Sequence, residues 1–63
     1  MDETTLQMVQ RHVRQGEVLV RRQREIVAKI IDAGRDPSRA ESLLVMLEDS
    51  QDQHVSHLER ITD

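Results

Sequence analysis

The 63-residue chain contains no cysteine, phenylalanine, tyrosine or tryptophan. Without cysteine, disulfides and thiolate metal sites are excluded. Without aromatic rings, the usual large core anchors are missing, as are the platforms on which single-stranded bases stack. Proline occurs once and glycine twice, so little interrupts a helix. No apolar run approaches the roughly 20 residues needed to cross a bilayer. The opening Met1-Asp2-Glu3-Thr4-Thr5 lacks the basic and apolar segments of a signal peptide, and a soluble cytoplasmic protein is expected. Length is scarce too: a chain this short buries a small share of its surface and usually needs a staple or a partner.

Charge is abundant. Asp, Glu, Lys and Arg make up 33% of the residues, with a net charge of −3, a profile that suits long helices. The charge is divided: residues 1–34 carry six basic and five acidic side chains, and residues 35–63 carry three and seven. Such runs most often mark solvated faces, though two segments of opposite bias can also lie against each other.

One breaker cluster, Gly34-Arg35-Asp36-Pro37-Ser38, divides the chain. Gly34 suits a left-handed helix C-cap. Asp36 before Pro37 reads as an N-cap followed by proline in the first helical position, and Ser38 with Glu41 offers a capping box as a second register. The spacing predicts helices over about 3–33 and about 37–62. A connection this short forces them antiparallel. The expected fold is therefore all-α, a single helical-hairpin domain over residues 1–63.

Both helices carry a heptad pattern. In the first, steps of three and four run through Leu6, Val9, Val13, Gly16, Val20, Gln23, Val27 and Ile30, with His12, Leu19 and Ile26 in a flanking column. In the second they run through Ala40, Leu44, Leu47, Gln51, His54, Leu58 and Ile61, flanked by Leu43 and Met46. A stripe three columns wide belongs to a bundle helix. A lone hairpin leaves Leu19, Ile26 and Leu43 wet, so a homodimer closing into a four-helix bundle is expected. Its oligomer core would be Leu6, Val9, Val13, Leu19, Val20, Ile26, Val27, Ile30, Leu43, Leu44, Leu47, Leu58 and Ile61. Glu17–Arg21 and Glu25–Lys29 are i,i+4 pairs in the favourable order.

Four seam positions form a polar layer: Gly16, Gln23, Gln51 and His54. Folding about residue 35 or 36 sets Val27 against Leu44, Gln23 against Leu47 or Glu48, Val20 against Gln51, Val13 against Leu58, and Gly16 against His54. A glycine inside a helix costs about 1 kcal/mol relative to alanine, and room for the imidazole would explain it. Buried amides need partners, which Gln23 and Gln51 would find across a dimer or in solvent.

His12, His54 and His57 are expected at one level. Three imidazoles from two helices suit a zinc site with one open position, but the commoner role is a polar layer that fixes register. No cofactor is expected. Ser50, Asp52, His54 and Ser56 crowd onto one helix and cannot form a triad, and no Gly-rich phosphate loop is present, so no enzyme is expected. Arg11, Arg14, Arg21, Arg22, Arg24 and Lys29 make the middle of the first helix basic. Arg14 and Arg21, one heptad apart, are the candidates for contacting nucleic-acid phosphates. Intersubunit pairs with Glu41, Glu48, Asp49 and Asp52 are the favoured alternative.

Through His12, Gly16-Glu17, Arg22-Gln23-Arg24, Gly34-x-Asp36, Ala40, Leu43-Leu44 and His54, the chain resembles a group of short proteobacterial helical-hairpin proteins. That resemblance spans about 12–60 and implies no activity. In length and architecture the chain is also similar to the Rop family of plasmid copy-number regulators, helical-hairpin dimers that bind paired RNA loops. No Rop RNA-binding residue carries over, and no aromatic is present to match. The expected function is a small homo-oligomeric bundle acting by protein–protein contact, as a regulator or adaptor. The alternatives are a Rop-like nucleic-acid binder and a histidine-based metal binder.

Overall fold

A computed structural model describes residues 3–62 as two helices, α1 (Thr5–Asp32) and α2 (Ser38–Thr62). They pack antiparallel as the hairpin expected from the spacing. No strand occurs among the described residues, and neither helix is long and apolar enough to cross a membrane.

Three of the four helix ends have a clear chemical cause. Thr4 caps α1: its hydroxyl accepts the Gln7 backbone N–H at 3.1 Å, and the Gln7 carboxamide oxygen accepts the Thr4 N–H at 3.0 Å. This reciprocal capping box satisfies two donors that the helix itself cannot. It places the start of α1 two residues later than the spacing predicts. The Glu3 carboxylate then takes two hydrogen bonds from the Arg11 guanidinium, both 2.9 Å, which hold its carboxyl below the ordinary value.

At the other end, Gly34 adopts φ 71°. Its N–H donates to the Ile31 carbonyl, and that of Arg35 to the Ile30 carbonyl. This is the Schellman pairing, and it needs a residue without a β-carbon penalty at Gly34.

Entry to α2 follows the Asp36-Pro37 register. The Asp36 carboxylate accepts both the backbone N–H and the hydroxyl of Ser38, and the Glu41 N–H reaches the Pro37 carbonyl at 2.8 Å. Ser38 thus spends its hydroxyl on Asp36, and the Ser38–Glu41 box does not form.

The molecule measures 47 × 22 × 14 Å. A helix with its side chains is about 10–12 Å across, so the hairpin is one layer thick. Each helix can cover only one stripe of the other. Val9 and Val20 are the buried apolar residues, and Gln23 is buried beside them. Val13, Val27, Ile30, Leu44, Leu47 and Leu58 are half-buried, with Gly16, Ala40, Gln51 and His54. The seam is therefore the one the heptads mark. Its outermost members, Leu6 and Ile61, are exposed at the open end, where no further turn covers them.

Asp36 yields a test of the turn. The two bonds from Ser38 hold its carboxyl below the ordinary 3.8. A depressed folded pKa contributes stability that is present above the unfolded pKa and lost as pH falls through the folded one. Asp36→Ala should lower the melting temperature at pH 7. The gap from the parent, followed by circular dichroism, should narrow as pH falls below the ordinary 3.8 and through the depressed folded value.

Candidate interaction surface and the polar seam

Two glutamines cross the seam in opposite directions. Gln23 of α1 donates its Nε2 to the Ala40 carbonyl of α2 at 2.9 Å, and Gln51 of α2 donates to the Val13 carbonyl of α1 at 2.8 Å. Both amides find partners inside one hairpin, so neither needs the dimer or the solvent. Each acceptor is a helical carbonyl with a second lone pair to give.

Small residues stand at the crossings. Ala40 provides the carbonyl that Gln23 reaches. Gly16 has no side chain where the Gln51 carboxamide lies: a β-carbon there would sit 2.6 Å from Gln51 Cδ and overlap Oε1. The space at Gly16 thus belongs to Gln51, not to His54 as the hairpin register predicts. His54 instead packs against His12, with ring centroids 5.4 Å apart and planes tilted by 40°.

The displacement is about one helical turn, and the connection is built to accommodate it. Arg35, Asp36 and Pro37 lie outside both helices. The residue before a proline is held extended, and extended backbone rises about 3.3 Å per residue against about 1.5 Å in a helix. Asp36, held extended before Pro37, therefore takes up more length than a helical residue and sets α2 further back along α1. Two polar atoms at this level are buried without a partner, Gln51 Oε1 and His54 Nδ1.

The two broad faces of the hairpin differ. In antiparallel helices, residues that precede the seam positions share one side and those that follow share the other. The Arg24–Glu48 ion pair, 3.1 Å long, links two followers and marks the second side, which also carries Glu17 and Glu41. On the first side stand Leu19, Ile26, Leu43 and Met46. They are 46%, 40%, 45% and 66% exposed, joined at the open end by His12 and His57. The outer rim of that apolar face holds Arg22, Lys29 and Arg39, all exposed. Val55 is half-buried on the ionic side, a position the heptad columns do not mark. Ile31 and Val45 are also exposed there.

Arg14 and Arg21 are exposed and bordering the ionic side. Of the six basic residues in this stretch, Arg11 and Arg24 are committed to Glu3 and Glu48. Arg14 and Arg21 are in no ion pair among the described residues. Nor are Glu17–Arg21 and Glu25–Lys29 closed: an exposed pair gains too little to hold two long side chains in one geometry.

The three histidines do not converge. No group of three potential ligands is placed to hold a metal among the described residues. His57 follows His54 by three positions, is exposed, and shares with it a solvent-open groove lined by Asp52, Gln53, Ser56 and Arg60. The one-turn displacement brings His12 to His54 and leaves His57 outside the seam. No family model matches the chain, and no curated protein or solved structure shows significant similarity to it.

Gly16 and Gln51 supply a sign-inversion test. Gly16→Ala gains about 1 kcal/mol of helix propensity. It also displaces the Gln51 carboxamide from its buried bond to Val13, which costs about 1–3 kcal/mol. The parent should therefore be destabilised by the change. In a Gln51→Ala background the same substitution should stabilise, and urea unfolding of the four proteins reads both signs.

Proposed function

We propose that the chain is a small homo-oligomeric helical-bundle protein that acts by protein–protein contact, its apolar face closed by a second copy. The observation that carries this reading is the exposed area. The single hairpin exposes 5154 Å², where a compact monomer of 7.3 kDa exposes about 4,200 Å². The excess of about 1,000 Å² matches what a standard interface buries on each partner, roughly 800 Å². Part of the exposed apolar surface lies where Leu19, Ile26, Leu43 and Met46 line one side. Shape agrees: the radius of gyration is 14.7 Å against about 11 Å for a compact domain of this length.

Sedimentation equilibrium at micromolar concentration should give about twice the 7.3 kDa chain mass. The melting temperature should rise with concentration, because folding and association are linked. Two apolar faces meeting bring the basic rims together, so association should tighten as salt screens them. Leu43→Glu should abolish the concentration dependence. A monomer whose melting ignores concentration sinks the proposal.

A nucleic-acid reading has one observation in its favour, the exposed and unpaired Arg14 and Arg21. They lie away from the apolar face, so a second copy seated there leaves them uncovered. Replacing both with glutamate should leave mass and melting temperature nearly unchanged under the protein-contact reading. Salt-sensitive RNA retention by the parent, lost in this double variant, would instead establish the binder.

A further inference from the structure

We propose that His12 and His54 form a two-imidazole clasp for a divalent transition metal of the zinc, nickel or copper class, bridging α1 and α2 at the open end of the hairpin. The two rings are brought together from opposite helices across the seam, and neither serves a helix cap. The clasp does not require a second copy.

Geometry carries the argument. Two imidazoles on one tetrahedral ion, each nitrogen about 2.1 Å from the metal, hold their ring centres roughly 5 Å apart. The observed separation is 5.4 Å. His54 Nδ1 is buried with no hydrogen-bond partner, so a lone pair or proton there is uncompensated in the hairpin, a cost that coordination would remove. Neutral imidazole suits borderline metals. A solvent-open groove reaches His54 from the side of His57, so water has access to this imidazole of the pair. The surrounding charge is mixed: Glu3, whose carboxyl feels the field of His12, is already bonded to Arg11, and Asp52 and Arg60 flank the groove.

A chelate across two helices ties together the end that has no covalent link, so metal should stabilise the folded hairpin by mass action. With zinc chloride added to the chelator-treated protein, the melting temperature should rise by several degrees and saturate. The rise should persist in His57→Ala and vanish in His12→Ala and in His54→Ala. On the unmodified protein, zinc should shift the imidazole proton resonances of His12 and His54 together, which keeps the test intact if a variant fails to fold. No rise in the parent overturns the clasp. So does a rise that survives loss of His12, or one in which His54 and His57 respond while His12 does not, since that describes an i,i+3 site on α2 alone.

Discussion

The reciprocal pair of glutamine bonds is the interaction from which the hairpin takes its alignment. Gln23 reaches from α1 to the backbone of α2, and Gln51 reaches back from α2 to α1. Helical carbonyls recur every turn, but one turn off the carboxamide would meet a side chain such as Leu44 or Val20 where Ala40 and Gly16 leave room, and an amide kept from its carbonyl while buried costs about 1–3 kcal/mol. Apolar contacts between valines and leucines discriminate far less between neighbouring registers. The two crossings therefore do here what a buried asparagine does in a coiled coil, with the difference that the partner is backbone. Each demands close approach, and this is why an alanine and a glycine occupy otherwise apolar columns.

Thickness governs the rest. A single layer of two helices covers one stripe per helix, and these helices carry wider stripes than that. The seam closes, the ionic side is served by Arg24 and Glu48, and Leu19, Ile26, Leu43 and Met46 are left half in water. The basic rim beside them gives this surface an electrostatic character distinct from the chain's net negative charge. Net charge is thus a poor guide to what the apolar face meets on approach.

Much of this was legible in the residues. Heptad spacing gave the seam, because a period of 3.5 leaves one consistent answer over seven or eight positions. Gly34 and Asp36-Pro37 announced the turn through residue types that few other conformations favour. The Thr4-x-x-Gln7 capping spacing was also in the sequence, but the heptad reading passed over it and began the first helix at about residue 3. The register was not legible, because it depends on how far three non-helical residues travel, and periodicity does not record that. Nor were the partners of Gln23 and Gln51, since a backbone carbonyl has no signature in the sequence. The imidazole pairing was lost with the register, which moved His54 from Gly16 to His12 and left His57 apart.

The turn also fixes the order in which the hairpin closes. Five residues separate the helices, and shutting so short a loop costs little chain entropy. Gln23 then meets Ala40 across 17 residues of chain, and Gln51 meets Val13 across 38. Each contact shortens the loop that the next must close, so closure outward from Gly34 is the order of least chain entropy. Fraying is expected to start at the opposite end, where Leu6 and Ile61 are exposed.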